Sequence, residues 1–121
     1  MAKTILVVDD ADVIRHLASR ALKSAGYEVI EANDGKAALA LLDGRPISGV
    51  VCDFSMPVMN GIEFVNVVKT MRNYKNLPVI MLTAADTVEL IEKGKNAGVD
   101  AWMVKPFNPA VLVDAVNKLC F

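Results

Sequence analysis

At 121 residues, 54 % of them apolar and 22 % charged, the chain is long enough to bury one core without disulfides or a structural metal. Its net charge of −1 excludes a basic field for gripping nucleic-acid backbones, and no apolar run approaches the roughly 20 residues that a membrane-spanning helix requires. With no secretory leader ahead of the first apolar run, one cytoplasmic domain over residues 1–121 is expected, with no output domain, nucleic-acid partner or membrane anchor.

Residues 5–8 are a continuous apolar run and predict a strand covered on both faces. Ile14, Leu17, Ala18 and Ala21 then recur at helical spacing, and Gly26 supplies a stop. Residues 27–31 partly alternate, as suits an edge strand. Asn33-Asp34-Gly35 is a turn signal opening a short helix over 36–43 on Ala38, Leu41 and Leu42, and 45–48 is an ordinary loop. Residues 49–52 predict a third strand. It ends in one carboxylate, Asp53, followed by a Pro- and Gly-punctuated loop that cannot continue it, so the acid is expected where the strand surfaces.

Phe64, Val67, Val68 and Met71 mark the third helix, and residues 79–82 the fourth strand. Residues 86–97 set Val88, Leu90, Ile91 and Ala97 against Glu89, Glu92, Lys93, Lys95 and Asn96. A marginally packed helix is predicted there, closed by Gly98. The fifth strand covers 101–104. The last helix opens on Asn108 as N-cap with Pro109 behind it, and buries Leu112, Ala115, Val116 and Leu119. Cys52 lies in an apolar run and Cys120 near the chain end, with no disulfide or metal-knuckle spacing, so both read as small core residues.

Strands alternating with helices through short loops predict an α/β, three-layer doubly wound fold with a parallel sheet and right-handed crossovers. Ligands bind such folds beyond the carboxyl ends of the strands. The residues just past those ends are Asp9 and Asp10, Asp53, Thr83 and Lys105: three carboxylates, a hydroxyl and an ammonium on one rim. Hard oxygen ligands without His or Cys select Mg²⁺ or a similar ion, Mn²⁺ included. The single histidine, His16, reads as a helix-face residue. With a metal present, an aspartate can attack phosphorus while metal, ammonium and hydroxyl neutralise the phosphoryl oxygens. Asp53 is the nucleophile in this scheme, Asp9 and Asp10 the metal-side acids, Lys105 the charge clamp and Thr83 a hydroxyl donor.

Along its whole length the chain resembles the receiver domain of bacterial two-component response regulators, and most the stand-alone, CheY-like chemotaxis type. The resemblance rests on Val7-Val8-Asp9-Asp10, on Asp53 with Met56-Pro57-Val58-Met59-Asn60-Gly61, on Leu82-Thr83-Ala84, and on Lys105-Pro106-Phe107. It implies a flavodoxin-like (βα)5 fold of strand order 2-1-3-4-5, in a protein that is no enzyme beyond assisting its own phosphorylation and autodephosphorylation. It further implies phosphorylation of Asp53 by a sensor histidine kinase (CheA-like), and Mg²⁺ held by Asp10, Asp53 and the Ser55 backbone carbonyl, with Asp9 acting through water. Thr83, the Ala84 amide and Lys105 would hold the phosphoryl group, and Lys105-Pro106 would be a cis peptide. Trp102 falls at the position of a switch aromatic, turning into space that Thr83 vacates. Ser55 and Ala85, both small, fall at positions that tune phosphoryl lifetime. The output would be the surface of fourth helix, fifth strand and fifth helix on a monomer, read by a partner such as a flagellar motor switch protein. A phosphorelay intermediate or a phosphate sink is the alternative use.

Two other classes compete. A haloacid dehalogenase-type phosphatase shares the Asp, Thr, Lys and Mg²⁺ set, but places its nucleophile after the first strand in an Asp-x-Asp motif. A flavin-binding electron carrier needs a hydroxyl- and glycine-rich loop after the first strand, where Asp9-Asp10-Ala11-Asp12 would repel phosphate.

Overall fold

The computed structural model describes residues 2–84 and 88–120. Its elements are β1 (Thr4–Val8), α1 (Asp12–Ser24), β2 (Glu28–Ala32), α2 (Gly35–Leu41), β3 (Gly49–Asp53), α3 (Gly61–Val68), β4 (Val79–Thr83), α4 (Val88–Ala97), β5 (Ala101–Val104) and α5 (Pro109–Leu119). All strand pairings are parallel and the order is β2-β1-β3-β4-β5, so β2 and β5 form the edges. The fold expected from the alternation is the one observed.

Period-2 alternation on the strands divides the interior in two. Ile5, Val7, Val51, Ile80 and Leu82 pack with Ala18 and Leu22 of α1 and Leu112 and Val116 of α5. Leu6, Val8, Val50, Cys52, Val79 and Met81 pack on the other face with Ala38 of α2 and Phe64, Val65 and Val68 of α3. Burial on both faces explains why the central strands read as unbroken apolar runs.

Local signals close the elements. Asp34 caps α2 by accepting from the Ala37 amide at 2.7 Å, and Asn108 caps α5 by accepting from Ala110 at 2.8 Å. Asn60 and Glu63 form a reciprocal capping box on α3. Two helix faces differ from the periodicity. In α1, Ser19 and Leu22 are buried beside Ala18, while Leu17 is exposed. In α3, Val65 is buried, Val67 exposed, and Met71 lies beyond the helix end. α2 starts and ends earlier than 36–43. Residues 86 and 87 of the predicted fourth helix lie outside the described residues.

Candidate functional site

The parallel register brings the carboxyl ends of the strands to one rim. Val8 pairs with Cys52, Asp53 with Leu82 and Thr83 with Val104. Asp9 and Asp10 therefore leave β1 beside Asp53, the last residue of β3, and Thr83 closes β4 next to it. Backbone bonds extend the ladder past the side chains: Phe54 N–H donates to the Leu82 carbonyl at 2.8 Å, and Lys105 N–H to the Thr83 carbonyl at 2.8 Å.

Three carboxylates converge there. One oxygen each of Asp9, Asp10 and Asp53 lies within 4.8 Å of the others. Asp9 and Asp53 are only 1 % and 3 % exposed, while Asp10 is open to solvent. The expectation that Asp53 surfaces is corrected: it is still buried as the last residue of a central strand whose every position is buried, with the Lys105 ammonium against its carboxylate. Lys105, just past β5, sets its ammonium 2.9 Å from Asp53 Oδ1 and 3.2 Å from Asp9 Oδ2. The Lys105–Pro106 peptide is cis. Asp9 Oδ1 is taken by the Ala11 amide at 2.9 Å.

Electrostatics follow from this packing. Burial pushes the Asp53 pKa up; Lys105 pulls it down, the Asp9 and Asp10 charges push it up, and the net shift is upward. Burial works against the Lys105 charge, but Asp53 and Asp9 outweigh it and raise its pKa. The Cys52 thiol, behind the site, is fully buried and pushed up by burial and then by Asp53 and Asp9. That thiol is packing.

A donor set made only of carboxylate oxygens, with one cation bridging two of three acids, fits a hard divalent ion. Asp9 Oδ2 is buried and, among the described residues, has the Lys105 ion pair but no aligned hydrogen bond. Ser55 and Ala84 are exposed next to the acids and Thr83 is 3 % exposed. Ala85 lies outside the described residues.

Trp102 is not on this rim. It lies inside β5, paired with Met81, on the sheet face that also holds α3. Its indole rests on α4 at Gly94, where a Cβ would overlap the ring. Its Nε1–H is buried with no acceptor among the described residues. Thr83 follows Met81 by two positions in β4, so it shares that face and is a diagonal neighbour of Trp102.

Three residues were not singled out for a role from the sequence. Gly94 carried a weak signal, since a glycine inside a helix commonly has a packing reason. Val58 carried none: its φ is +72°, in a tight turn in which Met59 N–H donates to the Pro57 carbonyl at 2.8 Å, and it is 89 % exposed. A β-branched residue there is strained. Arg15, whose guanidinium reaches the turn of Asp9, also carried none.

A family model for the response regulator receiver domain matches residues 5–117. The chain belongs to that family. It is 35 % identical over 116 residues to the chemotaxis protein CheY of Pseudomonas aeruginosa, covering 95 % of this chain and 94 % of that one. It is 37 % identical over 115 residues to CheY1 of Helicobacter pylori, covering 93 % of each. The solved structure of chemotaxis protein CheY4 of Vibrio cholerae matches with a TM-score of 0.94 at 39 % identity, over 98 % of this chain and 99 % of that one. CheY-like receiver domains are two-component signalling proteins rather than enzymes of the usual kind, and membership sets aside the phosphatase and flavin-carrier classes. Among the described residues no helix is long and apolar enough to cross a membrane.

Proposed function

We propose that this receiver domain is a single-domain response regulator of chemotaxis, phosphorylated on Asp53 by a sensor histidine kinase in a Mg²⁺-dependent transfer. The observation that carries this is the Lys105 ammonium bridging Asp53 and Asp9 inside the acidic cluster. Lys105 engages Asp53 Oδ1, which leaves Oδ2 to attack phosphorus. The new O–P bond forms as the P–N bond to the donor imidazole breaks, and the imidazole leaves with a proton. Asp10, Asp53 and the Ser55 carbonyl would hold the metal, with Asp9 through water; the ion supplies charge neutralisation for the phosphoryl oxygens. Lys105, Thr83 and the Ala84 amide would take those oxygens afterwards.

The signal would pass through Thr83 to Trp102 and so to the α4-β5-α5 surface. The shared face of Thr83 and Trp102 supports this. So does the buried indole N–H, which has no acceptor among the described residues; a polar group buried in that state costs about 1–3 kcal/mol. The partners in this reading are a kinase of the chemotaxis type and a flagellar motor switch protein, met by a cytoplasmic monomer. Incubation with a phosphohistidine donor, with and without Mg²⁺, tests it. Hydroxylamine-labile phosphate on Asp53 is expected only with metal and never in Asp53→Asn; labelling of that variant contradicts the assignment.

A further inference from the structure

Arg15, near the start of α1, is a largely buried guanidinium with all three nitrogens engaged on different pieces of chain. Nη1 donates to the Asp9 backbone carbonyl at 2.8 Å, Nη2 to Asp12 Oδ1 at 2.6 Å, and Nε to Glu31 Oε1 of β2 at 3.1 Å. The first acceptor belongs to the turn carrying two of the three acids, the second to the start of α1, and the third to the neighbouring edge strand. Asp9 N–H donates in turn to the Ala32 carbonyl at 3.1 Å, so the turn is pinned to the end of β2 from both sides of Asp9.

The acids need such a restraint. Lys105 reaches Asp53 and Asp9, but among the described residues no cation pairs with Asp10. Like charges held within 4.8 Å repel, and any turning of the Asp9–Asp10 peptide would carry the exposed Asp10 outward and disperse the set. The carbonyl of that peptide is the one Arg15 grips. We propose that Arg15 is a positioning residue of the metal site: it locks the Asp9–Asp10 peptide so that the carboxylates stay converged without the ion. The proposal rests on the Mg²⁺ assignment above and deepens it. Lysine cannot substitute, because one ammonium has no planar fork to span three acceptors on three segments.

Calorimetric titration with Mg²⁺ of the full chain tests this, together with thermal melts and phosphorylation of Asp53 by acetyl phosphate. Arg15→Gln and Arg15→Lys are each expected to weaken Mg²⁺ binding by roughly tenfold or more, the usual cost of removing an outer support of a metal ligand. Glu31→Gln, which keeps the carbonyl contact, is expected to weaken it by only about two- to threefold, and it carries the test if an Arg15 variant fails to fold. At saturating Mg²⁺ the phosphorylation rate should return to that of the unaltered protein, a rise in the metal requirement without loss of maximal rate. Lowered melting temperatures with Mg²⁺ affinity unchanged in every variant overturn the clamp and leave a merely structural arginine. A chain that does not bind Mg²⁺ at all, behaving like Asp10→Asn, overturns the metal assignment itself and the clamp with it.

Discussion

α3 and α4 pack on the same face of the sheet, yet they are held in opposite ways. α3 begins on a reciprocal capping box and buries Phe64, Val65 and Val68. Among its described residues α4 buries only Gly94 and exposes Val88 at 73 %. The first helix follows the loop of Asp53, while the second lies against Trp102. The lesson is a division of labour: the acid sits beside a helix anchored by buried apolar side chains, and the aromatic beside one that buries little of itself among the described residues.

The contrast can be broken most sharply by truncation. Phe64→Ala should cost about 3–5 kcal/mol in urea melts, against about 1 kcal/mol for Leu90→Ala in α4. Equal losses would abolish the distinction. Next in size is Gly94→Ala. Alanine gains about 1 kcal/mol of helix propensity over glycine, but its methyl would overlap the indole, at a cost of about 1–3 kcal/mol unless the ring moves. The expected result is lower stability with red-shifted Trp102 emission; a stabilised protein with unchanged emission would show that the indole does not occupy that seat.

Val58→Gly should act the other way, on the loop between Asp53 and α3. Relief of the positive φ, less the entropy glycine adds to the unfolded chain, should raise stability by about 1 kcal/mol. Smallest is the pH effect of Asp53. Burial first, then Asp9 and Asp10, raise its pKa against the pull of Lys105, so the native metal-free protein binds this proton more tightly than the unfolded chain. Its stabilising contribution is complete below the unfolded value near 4 and is lost as pH rises through the raised folded value. Asp53→Asn should flatten that decline in urea midpoints taken across the acid range, and an identical slope would remove Asp53 as its source.

Most of the fold was legible because the central strands are covered on both faces, which leaves unbroken apolar runs at 5–8, 49–52 and 79–82. The rim was legible for a related reason: a charge directly after such a run marks the point where the chain leaves the apolar interior, and in a parallel sheet those points line up on one edge. The helix faces were less so. Ile14, Leu17, Ala18 and Ala21 fit one stripe, but Leu22 extends an adjacent one, and tertiary packing chose the side that buries Ser19 and exposes Leu17. Arg15 was hidden because its acceptor Glu31 lies 16 residues away on another strand. Val58 was hidden because turn chemistry calls for glycine or asparagine at positive φ. The burial of Asp53 was hidden because the ammonium against its carboxylate comes from Lys105 on the far side of two strands, which no local residue spacing records.

The proposed signal rests on one coupling, from charge at Asp53 to the packing of Trp102. Titration with beryllofluoride in the presence of Mg²⁺, following the emission of the only tryptophan, measures it directly. A saturable change in Trp102 emission that requires Mg²⁺ and vanishes in Asp53→Asn is predicted. Binding of beryllofluoride with no change in emission, or a change that persists in Asp53→Asn, would contradict it.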